Sequence, residues 1–350
     1  MHRRLVVALG LACTAAACGD SSAPDASPTG VAYSFALIGC NRVDAADTTG
    51  NQSTANIEQL TRTFAEIAAL PQKPSFLFFM GDLTLGYTAD TTVLAKELQG
   101  WKALYEASAL AHSSIELVAI PGNHETQGPT KIAYAAAERT WLREMAQYIK
   151  RGGNGPQAGG ADALTTDQSK LTYSFDYKGT HFVTLNTDPV GADWHVPAHW
   201  IASDLSAART AGTKHIFVFG HKPAFPYPTV PTDGLSRDTA SRNIFWNAMN
   251  TNRAEAMFSA HNHVYFRTQP TLGGAWQVIA GNGGSKLEAT IDPTIPTSGS
   301  YYGFTVVTVL KDGRVIVKSY GRDIPTGGYT QSSAGTPTTV RDSADLTWAN

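Results

Sequence analysis

Four times in this chain a short apolar run stops and is followed at once by side chains that bind metal ions. Phe76-Leu77-Phe78-Phe79-Met80 leads through Gly81 to Asp82, and residues 115–120 lead through Pro121-Gly122 to Asn123-His124-Glu125. His215-Ile216-Phe217-Val218-Phe219 leads through Gly220 to His221, and Ala256-Met257-Phe258-Ser259-Ala260 opens on His261-Asn262-His263. Short apolar runs bounded by Gly or Pro read as buried strands. Side chains just beyond them stand at carboxyl ends of strands, the edge at which open α/β sheets bind ligands. Taken alone, Gly-Asn-His-Glu is as readily an ordinary turn. One carboxylate, one amide and three imidazoles at successive strand ends are instead a metal-ligand set.

The segments between these runs alternate with them. Residues 54–70 read as a helix with Ile57, Leu60, Phe64 and Ile67 on one face, and residues 91–110 as a second helix. This is a β-α-β-α-β rhythm. Residues 133–150 read as helical, 151–168 as a glycine-rich surface loop, and 171–177 with 181–186 as a hairpin around Lys178-Gly179. Residues 197–211 form a further helix before the strand that ends at His221. Beyond His263, strands are expected at 264–268, 276–280, 302–310 and 314–320, with Asp312-Gly313 as a hairpin turn. Residues 323–350 are polar, lack periodicity and read as a loose tail.

A chain of 350 residues with 42% hydrophobic side chains and a formal net charge of -2 has ample core for one large catalytic domain. No basic run suggests nucleic acid. Residues 1–18 carry Arg3-Arg4, an apolar stretch too short to span a bilayer, and Ala15-Ala16-Ala17-Cys18. That reads as an export signal ending in a sequence similar to the lipobox of bacterial lipoproteins, with Cys18 lipidated, although cleavage by an ordinary signal peptidase also fits Ala15. Residues 19–30 have almost nothing apolar to bury and read as a disordered tether. The protein is thus expected to be exported and anchored to a bacterial membrane, in the periplasm or on the cell surface. Cys40 is then left unpaired in the folded body.

The order Gly-Asp, Gly-Asn-His-Glu, Gly-His, His-x-His resembles the calcineurin-like metallophosphoesterase superfamily, whose relatives include the purple acid phosphatases. The resemblance covers roughly residues 31–322. It implies a four-layer αββα sandwich, two mixed β-sheets flanked by helices, and two divalent metal ions: zinc, manganese or iron. Asp82 would bridge the pair, because only a two-oxygen ligand can hold both cations within the ~4 Å that two-metal hydrolysis requires. Asn123, His221 and His261 would complete the second metal position, and His263 would face the first. His124 would act as an acid near the leaving group. Glu125 either orients it or sits in solvent.

Two departures stand out. Leu85 occupies the place of the tyrosine ligand of the purple enzymes, with Tyr87 two positions too late. The first motif, where the family has Asp followed two residues on by His or another polar ligand, reads Cys40-Asn41-Arg42. Cys40 is therefore a candidate thiolate ligand or a small buried cysteine, and Arg42 a candidate phosphate clamp or an ordinary ion-pair partner. Asp44 and Asp47 are alternative ligands there. Gly281-Asn282-Gly283-Gly284 is either a ligand-approach loop or a tight turn, and Trp194, His195, His199, Phe225 and Tyr227 flank the motif strands.

The expected function is hydrolysis of a small-molecule phosphate ester, mono- or diester, by a metal-bound hydroxide. Two rivals stand beside it: a catalytically weakened surface-binding lipoprotein on the same scaffold, and a metallohydrolase of non-phosphate esters.

Overall fold

The computed structural model describes residues 30–43, 57–288, 291–295, 297–323 and 335–348. The signal, Cys18, nearly all of the tether, Asp44 and Asp47 lie outside the described residues. Among the described residues, no helix is long and apolar enough to cross a membrane.

The apolar runs are strands. In the first sheet, β1 (Val31–Ile38) lies parallel to β2 (Phe76–Met80), which lies parallel to β3 (Glu116–Ile120). On the other side of β1, β11 (Tyr302–Leu310), β12 (Val315–Arg322) and β13 (Thr339–Asp345) follow antiparallel, so the order is β13-β12-β11-β1-β2-β3. The second sheet is built around parallel β5 (Thr180–Leu185), β6 (His215–Gly220), β7 (Ala256–Ser259) and β9 (Trp276–Ala280). Antiparallel β4 (Tyr173–Tyr177) closes one side, and β8 (Tyr265–Thr268) with β10 (Ser298–Gly299) closes the other.

The sheets pack face to face through an aromatic core. Phe35 is at its centre and meets Phe78, Phe182, Phe217, Phe219 and Phe258 at ring separations of 5.1–5.8 Å, all edge-on. Edge-to-face pairs add about 0.5–1.5 kcal/mol each beyond area burial. On the outer face of the first sheet pack α1 (Ile57–Ala69), α2 (Thr91–Glu106) and α4 (Ala135–Glu144); on that of the second, α5 (Ala198–Thr210) and α6 (Thr239–Thr251). The architecture is the expected αββα sandwich. Local chemistry sets the ends: Asp90 accepts the Thr92 N–H to cap α2, and Asp238 the Ser241 N–H to cap α6. The β4–β5 turn places Lys178 at φ 49 and Gly179 at φ 76, the double positive φ of a two-residue hairpin.

Two segments differ from expectation. Residues 339–345 are not loose: β13 pairs with β12 from Thr339 with Gly321 to Asp345 with Ile316, with a register shift between Tyr320 and Ser319. Its Thr-Val-Arg-Asp-Ser-Ala-Asp sequence offers no apolar face because it is a largely exposed edge, held instead by the ladder and by Asp342, which takes Arg267 at 2.7 Å and the Tyr265 hydroxyl at 2.7 Å. Helix α6, absent from the pattern-based expectations, buries Phe245, Trp246, Ala248 and Met249 against the second sheet.

Candidate metal centre

The parallel strands β1, β2, β3, β6 and β7 bring their carboxyl ends together, and every residue of the proposed set stands there. Past β1, residues 40–43 continue alongside the end of β2: Cys40 N donates to Gly81 O at 3.0 Å, Asn41 N and Arg42 N to Asp82 O at 2.7 and 2.9 Å, and Val43 N to Leu83 O at 2.9 Å. Four non-glycine residues here hold left-handed backbones: Cys40 (φ 61), Arg42 (φ 56), Asp82 (φ 54) and His261 (φ 66). Such strain concentrates where surrounding structure imposes it for function.

Asp82 is fully buried. Its Oδ1 lies 3.0 Å from His221 Nε2 and accepts the His124 N–H at 3.3 Å. Its Oδ2 is forked by Arg42, with Nε at 3.2 Å and Nη2 at 3.1 Å. Burial opposes its ionisation, but His124, His221 and Arg42 around it hold the carboxyl well below the usual range. His221 points Nδ1 at the Met80 carbonyl, 2.8 Å away, which turns Nε2 toward Asp82 and toward His261 Nδ1 at 3.1 Å. Burial would lower this imidazole, yet the Asp82 carboxylate raises it above its ordinary value.

Asn123 opens the short helix α3 (Asn123–Thr126). Its Nδ2 donates to the Tyr87 hydroxyl, and its Oδ1 is buried with no hydrogen-bond partner. His263 repeats the pattern, with Nδ1 donating to Lys286 O at 2.6 Å and Nε2 buried without a hydrogen-bond partner. A buried polar atom left bare needs an explanation, and for these two, set among metal-binding side chains at the shared strand edge, a bound ion is the one that fits.

Ligands about 2.0–2.2 Å from one ion stand roughly 3.0–3.5 Å from each other. His221 Nε2 stands at that spacing from Asp82 Oδ1, at 3.0 Å, and from His261 Nδ1, at 3.1 Å, and Asn123 Oδ1 supplies a neutral oxygen. This second position therefore fits a divalent cation. The first position fits less well. Cys40 Sγ accepts the His261 N–H at 3.1 Å, and burial together with Asp82 pushes its thiol up. Its donor atom lies with those of Asp82 and His221 inside a 4.8 Å group, so the sulfur is in reach of the centre.

His124 packs against the Tyr87 ring at 3.9 Å between centroids. Its Nδ1 donates to Leu85 O at 2.5 Å, leaving Nε2 at 3.8 Å from Asp82 Oδ2. Burial lowers this imidazole to about 3. Of the flanking aromatics only Trp194 reaches the site, its ring 5.5 Å from that of His261, with Lys222 Nζ 3.2 Å and Arg237 3.9 Å from the indole centroid. His195 pairs with Asp238, His199 with Asp162, and Phe225 and Tyr227 pack in apolar clusters. The glycine loop after β9 approaches Cys40 from below: Gly283 N donates to Gly39 O at 3.0 Å, and Ser285 N to Cys40 O at 2.8 Å.

Two residues matter more than their sequence signal implied. Glu125 is buried and acts as a clamp: Oε2 takes N–H from Gly122 (2.8 Å) and Asp82 (3.0 Å), and Oε1 takes the Thr84 N–H (2.9 Å). It ties the end of β2 to the end of β3. Asp233, on a loop no motif decodes, places Oδ1 3.1 Å from His261 Nε2 and so orients the ring that offers Nδ1.

A family model for calcineurin-like phosphoesterases matches residues 18–265, a span that contains all four strand-end motifs. The chain belongs to the calcineurin-like phosphoesterase family. Among solved structures, a purple acid phosphatase from yellow lupin (Lupinus luteus) seeds has a similar fold, with a TM-score of 0.60, 16% identity, and coverage of 83% of this chain and 51% of that one. This chain thus spans about half the length of the lupin protein. GAP50, the anchor in the inner membrane complex of Plasmodium, aligns at a TM-score of 0.48 and 14% identity over 83% of this chain and 84% of that one. A putative 5'-nucleotidase from Staphylococcus aureus aligns at 0.46 and 10% over 82% and 52%. No curated protein matches. Membership of this phosphoesterase family implies divalent metal at the centre, in pairs.

Proposed function

We propose that this member hydrolyses small phosphate esters, mono- or diesters, in a reaction that depends on divalent metal held by Asp82, Asn123, His221 and His261. The observation that carries the reading is His221 Nε2 at ligand spacing from both Asp82 Oδ1 and His261 Nδ1, with the bare Asn123 Oδ1 at the same strand edge. A cation bound there polarises a phosphoryl oxygen and lowers the pKa of a water. Around it the chain's own groups have distinct work. Arg42 brings a permanent planar charge to the Asp82 side, suited to a phosphoryl oxygen. His124, with Nδ1–H fixed on the Leu85 carbonyl and the ring held neutral by burial, presents Nε2 as a proton acceptor, which takes a proton from the attacking water or the phosphate before it passes one to the departing oxygen. Tyr87 and Asp233 hold Asn123 and His261 in orientation. The enzyme is exported and tethered through lipid on Cys18.

Purified protein loaded with zinc, manganese or iron should turn over aryl phosphate mono- or diesters, and Asp82→Asn should not. The Arg42–Asp82 pair favours a second reading, a scaffold with weakened turnover that binds rather than cleaves. Tight binding of a phosphate ester without hydrolysis, in protein shown to carry metal, would select it.

A further inference from the structure

We infer that the Arg42 guanidinium takes the place of the first of the family's two cations, so that the centre holds one exchangeable divalent ion beside one built-in organic cation. The inference rests on the metal reading of Asp82 given above and concerns how many ions that carboxylate serves.

The two oxygens of Asp82 have separate partners. Oδ1 faces His221 and so belongs to the second position. Oδ2, the oxygen that would bind the first ion, carries Arg42 in a two-pronged contact through Nε and Nη2 at 3.2 and 3.1 Å. Both N–H groups converge on that single oxygen, a charge-assisted contact that occupies the lone pairs an ion would need. A divalent ion on the same oxygen would have to share it with the guanidinium, and like charges that close repel strongly where the carboxylate between them is fully buried.

Arg42 cannot leave easily by moving its backbone. Its N–H donates to Asp82 O at 2.9 Å, the flanking Asn41 and Val43 amides are bound to Asp82 O and Leu83 O, and its φ of 56 fixes the direction in which the side chain departs. In sequence it stands two residues past Cys40, where the family has a ligand, and Cys40 stands in place of the family's first carboxylate. Both substitutions act in one direction: a carboxylate that is anionic without metal gives way to a thiol that is anionic only when metal takes it, and a cation is gained. The carboxylates that touch the centre among the described residues are Asp82, Glu125 and Asp233. Two of these are committed elsewhere, Glu125 to three backbone amides and Asp233 to the outer edge of His261. Asp82 alone would face two divalent ions and Arg42, whereas one ion and Arg42 leave a far smaller excess of positive charge. The consequence is a site that keeps one cationic group for phosphate when metal is scarce, because one of its two cations is covalently part of the chain.

The test counts ions and does not depend on turnover. Chelator-stripped protein is titrated with zinc or manganese to saturation, bound metal is measured by mass spectrometry of the desalted protein, and the manganese form is examined by electron paramagnetic resonance. One equivalent with the spectrum of an isolated manganese ion is expected. Two equivalents, a spin-coupled pair, or no bound metal would overturn the inference. Cys40→Asp/Arg42→His, which restores a carboxylate and an imidazole at the two altered positions, should raise the stoichiometry from one to two. A folded double variant that still takes one ion would show that Arg42 is not what excludes the second. Two equivalents in the parent protein sink this inference and leave the hydrolase reading standing; one equivalent without turnover on any phosphate ester does the reverse.

Discussion

Gly122 ends β3 with φ -104 and ψ 179, an extended backbone that any residue adopts. Its constraint is room. A Cβ at this position would lie 2.4 Å from the Asp82 amide nitrogen and 2.4 Å from Asp82 Oδ1, roughly 1 Å inside ordinary contact. In Gly122→Ala the ends of β2 and β3 must therefore part by about that distance. Glu125 Oε2 holds both ends, at 2.8 Å to Gly122 N and 3.0 Å to Asp82 N, and a further ~1 Å takes such a contact out of hydrogen-bonding range. Burial and the neighbouring Asp82 raise the Glu125 carboxyl to about 7, and hydrogen bonds to it when charged contribute about 1.5–3 kcal/mol each. Above that pH, losing one costs about 2 kcal/mol and losing both about 4, and the variant should fall between these values. Urea unfolding followed by tryptophan fluorescence measures it, with Gly128→Ala as control, since a Cβ there meets nothing nearer than 3.6 Å. Zinc affinity should fall alongside, because the displaced oxygen is the ligand Oδ1. A Gly122→Ala protein within about 0.5 kcal/mol of the parent and equal to it in zinc affinity would refute the claim that this close approach builds the site.

His124→Ala should lower turnover by about 10²–10⁴-fold while leaving bound metal unchanged, since its Nε2 faces the reacting groups and not the ion; loss of metal would reverse the assignment. Asp82→Asn should lose metal and activity together. His181 sits between Asp204 and Asp176 at 2.8 and 2.7 Å; burial would lower it, but the two carboxylates raise it above 6.5. Its contribution to stability is complete below about pH 6.5 and is lost as pH rises through the folded-state value, so Tm should drop across that window. His181→Asn should flatten that drop, and parallel Tm curves for parent and variant would dismiss the idea. Intact-mass analysis of the exported protein should find Cys18 as a lipidated amino terminus; cleavage elsewhere without lipid mass would make the protein a free secreted or periplasmic one.

The strand-end motifs were legible because a parallel sheet needs uninterrupted apolar runs, and the residues just past each run are delivered to the one edge the strands share. Asp82, Asn123, His221, His261 and His263 could be read from that alone once their family resemblance was seen. Glu125 could not, because its role comes from three amide groups on two strand ends, and no local pattern encodes a distant N–H. The Arg42 fork was hidden for the same reason: a surface ion pair and a guanidinium seated on a metal ligand look identical in a string of residues. Strand β13 was missed since an edge strand exposed along both faces needs no apolar alternation. The i, i+3, i+4 spacing of Phe245, Ala248 and Met249 in α6 was present and readable.

The order of the first sheet has a bearing on how the chain comes to be folded. Strand β1 is interior, paired on one side with β2 and on the other with β11, so that Phe35 lies opposite both Phe76 and Val307. Pairings this distant along the chain carry a large loop-closure cost and slow the search for the native state. Until the last strands arrive, one flank of β1 stays an open row of unpaired amides beside some of the most apolar segments of the molecule, the arrangement most prone to pair with another chain. A nascent chain of this topology cannot complete its first sheet until nearly all of it has been made, and until then it depends on whatever shields that flank before Tyr302–Leu310 closes it.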